Sequence, residues 1–111
     1  MTSFKKIKEG EYISTHPASV RFYNGISFKE YQDYQGIVKI FIEKDEYNDK
    51  NIYSVNVSVI NGKSNPSRGT IVSNTKAKAI KELSRYIKYS KTGYIVDPRY
   101  FFNEGLYALV N

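Results

Sequence analysis

The sequence predicts an α+β fold: a three-stranded antiparallel sheet packed by a C-terminal basic helix, with a short helix before the sheet and extra extended segments at the N- and C-terminal ends. Three observations predict it. The stretch Ser73 to Lys91, SNTKAKAIKELSRYIKYSK, has no Gly or Pro and repeats apolar residues at helical spacing. Residues Ile52 to Ile60 alternate apolar and polar, the period of a half-buried strand. Glycine-bounded, β-branched runs flank that strand on both sides. With 111 residues the chain makes one domain, large enough to bury roughly two-thirds of its unfolded surface. Its core is expected over residues 27–92, and residues 1–11 read as a polar, mobile tail.

In chain order, Val20 to Tyr23 reads as a short strand, and Asn24-Gly25 is a turn signal. Ser27-Phe28-Lys29-Glu30 has the form of a capping box, in which Ser and Glu each satisfy the other's end of a first helical turn. A short helix from Phe28 to Gln35, stopped by Gly36, follows from it; an extended hairpin arm is the alternative. Ile37 to Glu43 is β-branched and reads as a strand with Val38, Ile40 and Ile42 on one face. EKDEYNDKN, residues 43–51, is the one acidic stretch and reads as a hairpin loop; it lacks the glycine and ligand spacing of a calcium loop. In the strand Ile52 to Ile60, Tyr53, Val55, Val57 and Val59 form the packed face, and Ser54, Asn56 and Ser58 the polar one. Asn61-Gly62 opens a turn, and Gly69 to Ser73 is the third strand.

The long helix starts among Ser73, Asn74 and Thr75, whose side-chain oxygens can accept from the unpaired amides of its first turn. Gly93 stands where a helix end is expected. Ile80, Leu83 and Ile87 fall on one stripe, while Lys78, Lys81, Arg85 and Lys88 fall on a second, well rotated from it. Residues 73–91 carry a net +5 of the chain's +6. Like charges at three- and four-residue spacing repel by a few tenths of a kcal/mol per pair, and only Glu82 is present to relieve them. Such a face is either a solvated surface of a lysine-rich protein or one that tracks phosphates by releasing counterions. Beyond it Tyr94-Ile95-Val96 is extended, Asp97-Pro98 starts a helix with Asp as cap and Pro at the first position, and Leu106 to Val110 is a last apolar segment.

The order helix, strand, strand, strand, helix from Ser27 onward, with Thr75-Lys76-Ala77-Lys78-Ala79 directly after the third strand, resembles the double-stranded-RNA-binding domain. That resemblance implies phosphate contacts for Lys76 and Lys78, and for Lys81 beside them. Three strands plus a helix are also similar to the arm-site DNA-binding domains of transposon integrases, which lay a sheet face in the major groove. On that likeness Lys39, Ser54, Asn56 and Ser58 would be the reading face, with Asn56 suited to adenine. A polar face of this kind is equally what a half-exposed antiparallel sheet shows.

Groups for chemistry are sparse. His16 is the single histidine and there is no cysteine, so neither a zinc site nor a Cys/His pair can be built. No phosphate-binding glycine loop or nucleophile elbow occurs. No cofactor or metal is expected, and the protein is not expected to be an enzyme. The basic residues of MTSFKKIKEGEY are followed by no apolar run, and nothing approaches the ~20 apolar residues of a membrane span; a soluble cytoplasmic protein is expected. Eleven Tyr and six Phe with no Trp supply contact area with polar tips, suited to recognition surfaces and base stacking. The function expected is that of a non-enzymatic nucleic-acid-binding accessory protein of the phage or mobile-element kind. Lys78, Lys81, Arg85 and Lys88 would neutralise phosphates, flanked by Lys76, Lys63 and Arg68, with Lys39 and Asn56 on the sheet. DNA and RNA, single and double strand, stay open. The alternative is a small inhibitor, such as an anti-CRISPR or other anti-defence factor, that meets an acidic surface of a nucleic-acid-processing protein.

Overall fold

The computed structural model describes residues 2–25 and 27–103. Its strands are β1 (Phe4–Lys8), β2 (Glu11–Ser14), β3 (Ala18–Asn24), β4 (Glu30–Tyr47), β5 (Lys50–Ile60), β6 (Ser67–Ser73) and β7 (Ile95–Val96), and its helices are α1 (Lys76–Ser90) and α2 (Pro98–Phe101). The expected three-stranded sheet is therefore corrected to a seven-stranded one, in which β3 and β7 pair in parallel and the other ladders are antiparallel.

The sheet is organised by β4, whose 18 residues are long enough to serve several neighbours. Residues 30–36 pair with β3, residues 37–47 with β5, and residues 39–41 also with β2. Where the β2 ladder gives way to the β3 ladder, the Val38 N–H is taken by the Ser14 hydroxyl at 2.8 Å, so a buried backbone donor stays satisfied. Gly36 marks the handover on β4: a Cβ there would lie 2.6 Å from the Ile60 carbonyl oxygen.

This arrangement overturns two expectations. The short helix Phe28 to Gln35 is absent; Phe28 lies in the connection and Glu30 to Gly36 is strand, paired residue for residue with Ala18 to Asn24. The capping-box pattern satisfies one helical turn, whereas pairing with β3 runs the length of the segment and buries Phe22 and half of Tyr34. The expected tail over residues 1–11 is corrected within the described residues, since Phe4–Lys8 pairs with Glu11–Ser14 as an edge hairpin. Its charges, Lys5, Lys6 and Lys8, suit an edge strand that must resist pairing with other chains.

The β4–β5 hairpin is longer than the acidic stretch suggested. Glu43, Asp45 and Glu46 sit on the paired strand, and the turn is only Asn48-Asp49, both at positive φ (51° and 61°), as a two-residue type I′ turn requires. The β5 alternation is as expected: Tyr53, Val55, Val57 and Val59 are buried, together with Val38 and Ile40 of β4.

Helix α1 lies on that buried face. Thr75 caps it, its hydroxyl accepting from the Lys78 N–H. The buried residues are Ala79, Leu83, Tyr86, Ile87 and Ser90, so the packed stripe is wider than Ile80, Leu83 and Ile87, and Ile80 is only half-buried. Tyr86 is fully buried because its hydroxyl donates to the Val96 carbonyl, tying the helix to β7. Gly93 is not the left-handed cap; the helix ends on Lys91 in a right-handed conformation. Asp97 and Pro98 do begin α2 as the sequence indicates. The segment Leu106 to Val110 lies outside the described residues. Among the described residues no helix is long and apolar enough to cross a membrane.

Candidate nucleic-acid interface

Once Ala79, Leu83 and Tyr86 are turned to the sheet, the 3.6-residue period leaves Lys78, Lys81, Arg85 and Lys88 on the opposite, solvent side of α1. All four are exposed. Arg85 is held in place: its guanidinium bonds Glu82 at 2.9 and 3.2 Å and lies 4.7 Å from the centre of the Phe101 ring. Lys78, Lys81 and Lys88 meet no carboxylate among the described residues. Lys76, at the helix start, stands 3.4 Å from Glu9, both side chains well exposed, a pair worth little in water. No acid occupies the first turn of α1, so Lys76 and Lys78 add to the positive helix end, a small local cost that a bound anion would relieve. An open cleft of about 420 Å³ runs beside this face, lined by Lys78, Glu82, Arg85, Phe101 and Phe102 among others.

The remaining expected residues lie elsewhere. Lys39 and Asn56 are on the sheet face turned away from α1, with Lys39 opposite Ser58 and Asn56 opposite Phe41. The Lys39 ammonium is 3.7 Å from the Glu11 carboxylate and 5.0 Å from the Phe41 ring centre. Asn56 lies over Gly69, which has no side chain to obstruct it, and its amide donates to the Ser54 hydroxyl at 3.0 Å. Lys63 is exposed in the turn after β5. Arg68 is on β6 opposite the buried Val57, 5.2 Å from the Phe22 ring. The structure thus gathers Lys78, Lys81, Arg85 and Lys88 on one surface, turns Lys76 to the other side of α1 toward Glu9 and Ile80, and leaves Lys39 and Asn56 on the sheet.

A second constellation was not singled out from the sequence. On the outer face of the β3–β4 ladder, Arg21 sits opposite Asp33 and Tyr23 opposite Tyr31. The Arg21 guanidinium bonds Asp33 at 2.8 and 3.1 Å and covers the Tyr31 ring at 3.7 Å, with Tyr94 at 5.0 Å. Those bonds hold the Asp33 carboxyl below the usual carboxylate range. Tyr23 stacks on Tyr100 of α2 with centroids 4.6 Å apart and planes 16° from parallel, and Phe28 meets both edge-on.

An ion pair between a buried carboxylate and a half-buried guanidinium fixes this cluster. Asp97 is fully buried and bonds Arg99 at 2.7 Å. β7 has only two paired residues, but the ladder is continued by the backbone of Asp97 and by the side chains of Asp97 and Arg99. The Asp97 N–H donates to the Arg21 carbonyl at 2.7 Å, the Asp97 carboxylate accepts the Tyr23 N–H at 3.1 Å, and Arg99 donates to the Tyr23 carbonyl. The end of β3 is clamped as another strand would clamp it, and α2 is set against it.

No protein-family model, curated protein or solved structure matches this chain.

Proposed function

We propose that the protein is a non-enzymatic nucleic-acid-binding accessory protein that engages phosphates through the outer face of α1. The observation carrying this reading is the alignment of Lys78, Lys81, Arg85 and Lys88 on the side of the helix opposite its buried residues. A cationic row on a rigid, sheet-backed helix loses little entropy on meeting a polyanion, and each neutralised phosphate releases counterions. The positive helix end, with no acid in its first turn, adds to the row at Lys78. Arg85, braced by Glu82 and Phe101, is the most positioned of the cations.

The test is binding to labelled single-stranded and duplex oligonucleotides, with polyglutamate as a polyanion lacking phosphate. Lys81→Glu/Lys88→Glu should abolish oligonucleotide binding and leave the melting temperature unchanged, because neither residue touches the core. Retention of binding by the double variant, or equal capture of polyglutamate and oligonucleotide, would remove the basis of the reading.

A further inference from the structure

We infer that the nucleic acid is bound as a single strand, its bases stacking on a run of exposed rings that begins on α1 and continues over α2 onto the β3–β4 face. This inference rests on the phosphate-binding reading of α1. Tyr89, Tyr100, Tyr31 and Tyr94 are 43%, 48%, 51% and 50% exposed, unusual for rings of this size. They are linked rather than scattered. Tyr89, the residue after Lys88, packs on Phe101 at 4.8 Å; Tyr100, the chain neighbour of Phe101, stacks on Tyr23; and Tyr23 meets Tyr31 at 5.9 Å. The cationic face and the rings therefore share α2 as a common border, with Arg85 over Phe101 on one side and Tyr100 on the other.

The rings are prepared for contact. Tyr100 has one neighbour stacked on it and Tyr31 has a guanidinium over it, so each is held in orientation with about half its surface left to solvent. Phe28 adopts φ 54°, a left-handed conformation unfavourable for a bulky residue, and its ring buttresses Tyr23 and Tyr100. Strain of this kind persists only where the surroundings impose it, and it collects at ligand contacts.

Charge points to bases rather than phosphates on this surface. Arg21 is matched by Asp33 and Arg99 by Asp97, so the ring cluster is close to neutral while α1 carries the excess cations. Base faces are available for stacking in a single strand and are hidden within a duplex.

The experiment compares an oligothymidylate of about 12 nucleotides with a duplex of the same length, at about 50 and 200 mM salt. The proteins are the parent chain, Tyr100→Ala, Tyr31→Ala and the ring-retaining Tyr100→Phe. The parent should prefer the single strand. Each alanine variant should weaken single-strand binding by about 5- to 150-fold without changing its salt dependence or the weaker duplex binding. Tyr100→Phe should keep most of the affinity. Tyr31 serves as the second site should Tyr100→Ala lower the melting temperature. Alanine variants that bind the single strand like the parent, as they would if the rings dock a protein instead, overturn this inference and leave the α1 reading intact. Equal parental affinity for both forms overturns it too, and absence of any binding by the parent overturns both.

Discussion

The outer face of α1 and the ring cluster on β3–β4 are built on opposite principles. The helix face is local: its residues fall within eleven positions of sequence, and one secondary-structure period aligns them. The cluster is assembled by topology, since Arg21, Tyr31, Tyr94 and Tyr100 meet only because β4 pairs with β3 and α2 folds back on β3. One carries charge with little structural duty, and the other carries structural duty with its charges cancelled. Perturbation should therefore separate them, with changes beneath the cluster felt in stability and changes on the helix face felt in binding.

The largest effect is expected at Asp97. Replacement by Ala leaves Arg99 without its partner and the Tyr23 N–H without an acceptor, so about 3–5 kcal/mol of stability should be lost, measured by urea unfolding. A loss no greater than that of a surface substitution would mean that the clamp does not hold the cluster.

Tyr86→Phe should have a smaller effect, about 1 kcal/mol at neutral pH, from the lost bond to Val96. It should also change the alkaline limb. Burial pushes the Tyr86 phenol well above its ordinary range, with Asp97 and Tyr89 adding to the shift. The neutral phenol's contribution is thus full below about pH 10 and declines above it, as the unfolded chain ionises first. The unfolding free energy followed from neutral pH into that range should fall less steeply in Tyr86→Phe than in the parent.

The smallest effect is expected at the Arg21–Asp33 pair. Because Arg21 depresses the Asp33 carboxyl, the pair's contribution is present above about pH 4 and is lost as pH falls through the lowered value. A carboxyl titration followed by NMR should place the Asp33 midpoint below that of an ordinary aspartate, and Arg21→Gln should return it to the ordinary range.

The same contrast explains what could be read in advance. α1, with its Thr75 cap, and β5, with its valine alternation, have sequence patterns that match their structural periods, and both lie where those patterns put them. The first half of β4 does not: Glu30, Gln32, Asp33 and Gln35 show no apolar alternation, because only Tyr34 there reaches the core, and pairing with β3 outweighs the local helix signal. The β1 edge strand is disguised by lysines that protect it. Tyr86 escapes a stripe drawn from aliphatic residues because its polar tip finds a partner on β7. The ring cluster had no linear signature beyond a high tyrosine count.

The most direct measurement is the slope of log affinity against log salt for a single-stranded oligonucleotide. Four phosphate contacts at Lys78, Lys81, Arg85 and Lys88 give an expected slope of about −2.8, an affinity loss of about 50-fold between 50 and 200 mM salt. Lys81→Glu/Lys88→Glu should abolish measurable binding at either salt. A parental slope near zero, or a double variant whose slope and affinity equal the parent's, would show that the cations of α1 do not bind phosphate.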